Sequence, residues 1–363
     1  MTQWRSPELS ATSQHDVRPC IAGRNRSEKI PHTCLTHWKG HNQFRIPRPL
    51  KGFQMSLTCN ASITSPRFAA AIVCCLLAHV TPSPVAMADE DQPAEVQSRV
   101  VFCAMGDVPY TAEEDQLLTK QIADLPGTAE FVVHVGDIKA GAPPCEETVY
   151  QKVAGMLRKS PHPLFIIPGD NEWNDCIEPD PQQAWRFWTR HFMRFERGWQ
   201  HDLPVFRQLE REENFSFVRN GVLFVGLNIV GGRIHDPDEW KRRHAECLDW
   251  VRRNLKAKGS DVSSLVIFGH AKPVSNHSDF FNPFLEDAEK FGKPILYLHG
   301  DGHRWIHDRP FAAKNILRVQ VDQGGIASPV QITVTNDPKE PFLFDRRIKE
   351  PEQSEPDANS PSR

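Results

Sequence analysis

Leu164-Phe165-Ile166-Ile167-Pro168-Gly169-Asp170-Asn171-Glu172-Trp173-Asn174-Asp175-Cys176 is an apolar run that stops at Gly-Asp and turns polar. Short continuous apolar runs suit strands buried on both faces. This one hands a carboxylate to a sheet edge. Four more runs end the same way. Val100 to Met105 stops at Gly106-Asp107, Phe131 to Val135 at Gly136-Asp137, Leu265 to Phe268 at Gly269-His270, and Ile295 to Leu298 at His299-Gly300-Asp301-Gly302-His303.

Between the first three runs lie two helical patterns. Thr111 is placed to cap a helix through Glu114, with Leu117, Leu118, Ile122 and Leu125 at helical spacing, and residues 146–158 form the second. Strand-helix-strand-helix-strand implies parallel pairing through crossovers, with sites at the carboxyl ends of the strands. Each Gly-Asp falls at such an end. Further on, Asn214 to Val218 and Val222 to Leu227 flank Asn220-Gly221 and predict a hairpin. Trp240, Cys247, Leu248, Val251 and Leu255 share one helical face, residues 284–291 predict another helix, and Ile316 to Val321 and Val330 to Val334 alternate as closing strands. Trp185, Phe187, Trp188, His191, Phe192, Phe195 and Trp199 mark a helix and an insertion over the site, read first as an aromatic core stripe. The expected fold is α/β, two mixed sheets face to face with helices outside.

The chain has 363 residues, 39% hydrophobic and 25% charged, with a formal net charge of −3. That length holds one large domain, and the absence of a strong positive charge argues against nucleic acid or an anionic membrane as partner. Residues 1–54 are basic and aperiodic, and are expected to be disordered or not made, with translation starting at Met55. Residues 55–88 read as a signal peptide: Arg67, an apolar run from Phe68 to Val80, Pro82, Pro84, then Ala86-Met87-Ala88. The run is shorter than the ~20 residues a spanning helix needs, so export without a stable membrane span is expected. Residues 89–98 form a linker, 99–346 the folded domain and 347–363 a disordered tail. Of nine cysteines, four follow the cleavage site: Cys103 and Cys247 on apolar faces, Cys145 and Cys176 in loops beyond Asp137 and Asp170. An exported chain can keep a Cys145–Cys176 disulfide.

Asp107, Asp137, Asp170, His270, Asp301 and His303 are the residue types that a pair of divalent ions requires. At these positions the chain resembles the calcineurin-like metallophosphoesterases, the superfamily that includes purple acid phosphatases. The order Gly106-Asp107-x-Pro109, Gly136-Asp137, Gly169-Asp170-Asn171-Glu172, Gly269-His270, Gly300-Asp301-Gly302-His303 is similar to that family's five blocks. The resemblance implies a four-layer α/β/β/α sandwich and hydrolysis of phosphoesters by a metal-bound hydroxide. It also implies two ions, one on Asp107, Asp137 and His303, the other on Asp137, Asp170, His270 and Asp301.

Three departures stand out. Pro109 replaces a ligand His in the first block, where Tyr110 is the nearest substitute. Asp170-Asn171 replaces Asn-His in the third, removing the family's acid and leaving Asn171 as a hydrogen-bond donor. Asp301 replaces a His in the last, as in the alkaline-phosphatase-D-like branch, and more carboxylate favours Mn, Fe or Mg over an all-His Zn site. The missing acid is sought in His299 first, then His134 or His235. Lys139 and Arg304 flank the blocks, and the Glu172 to Cys176 stretch is expected at the substrate entrance. The expected substrate is a small phosphomonoester or diester. The alternatives are an exported metal- or phosphate-binding protein with weak or no turnover, and a redox protein whose iron pair uses a Tyr ligand.

Overall fold

The computed structural model describes residues 100–348. The expected extension, signal peptide and linker, and the tail beyond 348, lie outside the described residues. The first half runs β1 (Val100–Met105), α1 (Ala112–Ala123), β2 (Phe131–His134), α2 (Glu147–Leu157), β3 (Leu164–Ile166) and α3 (Pro181–Phe192). The second half adds β4 (Phe206–Arg207), β5 (Phe215–Arg219), β6 (Val222–Gly226), α4 (Pro237–Lys258), β7 (Ser264–Phe268), α5 (Ser278–Phe291) and β8 (Ile295–His299). It closes with β9 (Ile306–Asp308), β10 (Ile316–Gln320), β11 (Val330–Val334) and β12 (Phe342–Asp345).

Two mixed sheets result, ordered β12-β11-β1-β2-β3 and β4-β5-β6-β7-β8-β10-β9. β1, β2 and β3 are parallel neighbours, as the crossover spacing requires, and so are β6, β7, β8 and β10. Local chemistry sets the joints. Thr111 accepts from the Glu114 amide at the start of α1, and Asp236 caps α4 ahead of Pro237. Asn220 and Gly221 both take positive φ in the β5–β6 hairpin.

Strand alternation then sorts the side chains into three cores. Phe102, Phe131 and Val133 meet Phe217, Phe224 and Val266 between the sheets. Cys103 and Val132 turn outward to Leu118, Ile122, Tyr150 and Trp188 on α1, α2 and α3. Leu265, Ile267 and Tyr297 face Cys247, Val251, Phe281 and Phe284 on α4 and α5. Three cores between successive layers make a four-layer α/β/β/α sandwich. The inter-sheet core is aromatic: Phe102 stacks on Phe131 at 5.0 Å between centroids, and Phe131 meets Phe224 edge-on at 5.2 Å. Truncating Phe131 to Ala there is expected to cost about 3–5 kcal/mol.

The aromatic stripe of α3 is mainly core, with Trp188 and Phe192 buried. Strands β4, β9 and β12 escape the sequence reading. They are edge strands of two to four residues, too short and too exposed to carry a clear alternation.

Candidate metal centre

The parallel strands of both sheets end at one edge, and each delivers its turn there. Asp107, Asp137, Asp301 and His303 take positive φ of 56°, 61°, 66° and 59°, a region that is sparsely used by non-glycine residues and that concentrates at functional sites. The turns are laced together by backbone bonds, Asp107 N–H to Gly136 O and Val108 N–H to Asp137 O. Gly136 and Gly169 allow the closest approach. A Cβ on Gly136 would lie 2.5 Å from the Gly169 nitrogen, and one on Gly169 would collide with Asp137.

Two groups of three donors follow. One ligand atom from each of Asp107, Asp137 and His303 lies within 4.8 Å of the others, and the same holds for Asp137, Asp170 and His270. Asp137 belongs to both. His270 Nε2 is 2.9 Å from Asp170 Oδ1 and 3.3 Å from Asp137 Oδ1, while its Nδ1 lies 2.7 Å from Val135 O. With the Nδ1 proton on that carbonyl, the Nε2 lone pair faces two carboxylates. Such an arrangement needs a cation between the groups or a second proton on the ring. Asp107 Oδ2, Asp170 Oδ1 and His270 Nε2 are buried without a hydrogen-bond partner. Buried acceptors that face one another without a shared proton stand as ligand atoms converging on a cation do. The donor set therefore fits divalent cations.

Electrostatics agree. Burial, opposed by His270 and reinforced by Asp137, raises Asp107 to about 7. Burial also opposes charge on His270, yet Asp137 and Asp170 outweigh it and hold the ring well above its ordinary value. Burial works against ionised Asp137 too, but His270 wins and its carboxyl is lowered.

Tyr110 stands where the first block lacks its His. Its hydroxyl is 3.0 Å from Asp137 Oδ2, 3.1 Å from His303 Nε2 and 3.4 Å from Asp107 Oδ1. Asp301 differs from expectation. It belongs to neither group of three; its Oδ2 accepts from the Lys272 N–H at 3.3 Å and lies 3.7 Å from Lys272 Nζ. Its backbone N–H instead orients Asp107, donating to Oδ1 at 3.0 Å.

The proton-donor candidates lie in different surroundings. His299 is fully buried, with Nδ1 2.8 Å from Gly300 O and its ring stacked on Tyr297. Residues two apart on a strand share a face, so His299 follows Tyr297 toward the helical layer. Burial lowers it to about 3, which leaves a neutral ring unsuited to protonate a leaving group. His134 is equally enclosed: Gly136 N–H donates to its Nδ1, its Nε2 lies 3.1 Å from Val108 O, and burial lowers it to about 4. His235 is partly exposed, its Nδ1 3.1 Å from Asn174 Oδ1. Asn171 is committed to Asp137, giving its backbone N–H to Oδ1 at 3.0 Å and its amide to Oδ2 at 2.5 Å.

Glu172 does not line an entrance. It is fully buried, and its Oε1 accepts from the Gly169 N–H at 2.6 Å and the Asp137 N–H at 3.2 Å, tying the second and third turns together. The turn Asp170–Asn174 is one turn of π-helix, a form that recurs at functional sites. Burial and Asp137 raise Glu172 to about 8. Lys139, also buried, donates to the carbonyls of Ala140 and Asn171. Cys145 and Cys176 form a disulfide with Cα atoms 6.0 Å apart, and the loops beyond β2 and β3 are thereby joined.

No protein-family model matches the sequence, and a search of characterised proteins finds no match. Among solved structures, the Plasmodium inner-membrane-complex anchor GAP50 aligns at 12% identity and a TM-score of 0.43, over 70% of this chain and 90% of that one. The 5'-nucleotidase of Candida albicans aligns at 13% and 0.42, over 68% and 50% of the two chains. The purple acid phosphatase PPD1 of yellow lupin seeds aligns at 13% and 0.42, over 65% and 49%. Likenesses this distant carry no argument about activity, and the fold class rests on the two sheets themselves.

Proposed function

We propose that this chain is an exported, metal-dependent phosphoester hydrolase whose site holds two divalent ions. The observation that carries the proposal is the pair of donor groups sharing Asp137. Asp107, Asp137 and His303 would hold one ion, with Tyr110 beside it, and Asp137, Asp170 and His270 the other. Two such ions supply Lewis-acid activation of water and of the phosphoryl oxygens. Mn, Fe, Zn or Mg suit the mixed oxygen and nitrogen donors.

The protein's own contribution is to hold this cage rigid. Glu172, Lys139 and Asn171 fix the Asp137 and Asp170 turns, and His134 pins the first turn to the second. Without cations the carboxylates would repel a phosphate, so the site suits an anionic ester only when loaded. Lys272, half-exposed beside Asp301, is placed to steady a phosphoryl oxygen. His299 and His134 are buried and neutral, and Asn171 cannot donate a proton. Turnover is therefore expected for esters whose leaving group departs without protonation, such as activated aryl phosphates.

The same lack of an acid favours a second reading, a binder of metal and phosphate with weak turnover. Metal analysis followed by assay on p-nitrophenyl phosphate, its bis ester and an alkyl phosphate separates the two. Metal-dependent hydrolysis of an aryl ester well above that of the alkyl ester supports the hydrolase. Bound ions with no hydrolysis under any metal would establish the binder.

A further inference from the structure

A cavity of about 670 Å³ lies against the third-block turn, outside the donor groups. That volume is in the range of small-molecule sites. Two indoles line it, Trp173 and Trp185, 5.0 Å apart between centroids. Trp173 is held from behind by the fully buried Arg243, whose guanidinium lies 5.0 Å from the ring centroid. Trp185 is held by stacking on Trp188 at 5.1 Å.

The wall is strongly anionic. Asp180, Glu210, Glu213, Asp236, Glu239 and Glu246 line the cavity against two guanidinium groups, Arg211 and Arg242. Arg211 is already shared by Glu213, Glu239 and Glu246, Glu239 also pairs with Arg243, and Glu210 is paired with Arg253. Asp180 and Asp236 cap α3 and α4 through backbone amides, and the ion pairs among the described residues do not include them.

Two buried polar groups on this wall have no partner. Asn228 is 1% exposed, its amide nitrogen donates to Glu213, and its Oδ1 is unpaired; Trp173 is 6% exposed and its Nε1 is unpaired. An unsatisfied buried acceptor costs free energy that a ligand donor would recover. An acceptor beside aromatic rings and excess carboxylate describes a site for a positively charged N–H group.

We propose that this cavity binds an organic ammonium ion, with the cation against Trp173 and Trp185, its N–H toward Asn228 Oδ1, and Asp180 and Asp236 supplying unpaired charge. The inference makes no use of the ion cage and stands apart from the hydrolase reading.

Calorimetric titration of the purified full chain with 1,4-diaminobutane, in magnesium-containing buffer, tests it. One saturable site per chain is expected, with no binding of 1,4-butanediol or butyrate. The variant Asp180→Asn/Asp236→Asn keeps side-chain oxygens for both caps and is expected to weaken diamine binding about tenfold at low salt. Trp185→Leu is expected to weaken it about two- to fivefold. Absence of diamine binding, equal binding of the diol or butyrate, or unchanged affinity in variants that keep the wild-type melting transition would overturn the proposal.

Discussion

Asp137→Asn is the most informative perturbation, because this carboxylate belongs to both donor groups. The substitution is nearly isosteric but exchanges one carboxylate oxygen for an amide that can only donate. That amide would meet the Asn171 amide or the Asn171 backbone N–H, both now donating to Asp137. Removing one partner of a buried ion pair costs about 3–5 kcal/mol, so each ion should bind about 10²–10⁴-fold more weakly. The metal-free protein should lose stability as well. Despite burial, the Asp137 carboxyl is lowered by His270, so its charge stabilises the fold. The loss of that pairing and of the Asn171 bonds outweighs the relief of Asp107 and Glu172, which it raises.

Metal content after gel filtration and melting with and without added Mn or Zn read both effects. At a free metal concentration about 1,000 times Kd, binding adds about 4 kcal/mol, or roughly 8 °C or more for a domain of this size. Wild type should show that gain. Asp137→Asn should start from a lower metal-free transition and gain about a third of the wild-type shift or less, because a site weakened 10²-fold adds only about 1.4 kcal/mol at the same free metal. A variant that keeps two ions at wild-type affinity and the full gain would refute the shared-ligand reasoning.

Asp170→Asn is expected to lose an ion by about 10²-fold or more, whereas Asp301→Asn should lose about tenfold or less, because Asp301 is engaged by Lys272 outside both groups; titrations showing equal losses would return Asp301 to the ligand set. Stability of EDTA-treated protein should fall between about pH 7 and 8. Glu172 and Asp107 have folded pKa values raised to about 8 and 7, and His270 is raised too. Above the ordinary histidine value of about 6.5 the buried His134, His244, His277 and His299, all lowered by burial, no longer take protons on unfolding. Over this window the native state therefore binds more protons than the unfolded one and loses stability as they leave. Metal-loaded protein should not fall in this way, and chemical denaturation across the pH range checks the contrast. Replacing Cys145 and Cys176 by Ala removes a cross-link spanning 31 residues and should cost about 2–4 kcal/mol, read by urea unfolding under oxidising conditions.

The strand-end residues were legible because a buried parallel strand must end its apolar run where the chain leaves the sheet, and at five such ends a Gly stands beside an Asp or His. That was enough to place Asp107, Asp137, Asp170, His270 and His303 together. Nearness in sequence, two residues from Asp301, says little about where the His299 ring points. Strand alternation sends its ring after Tyr297 toward the helical layer, and the end of β8 could not be fixed closely enough to see this. Glu172 left a trace, three residues after Gly169 at the start of a helical turn, but its second bond, to Asp137, joins positions 35 apart in the chain. Lys139, His134 and Tyr110 likewise act across turns, through contacts that no local period encodes.

The most direct test of the two-ion cage is an anomalous difference map from crystals of the protein loaded with Mn or Zn. Two peaks about 3.5–4 Å apart are predicted, flanking the Asp137 carboxylate, one bounded by Asp107 and His303 and the other by Asp170 and His270. A single peak, or ions bound without Asp137 between them, would contradict the account.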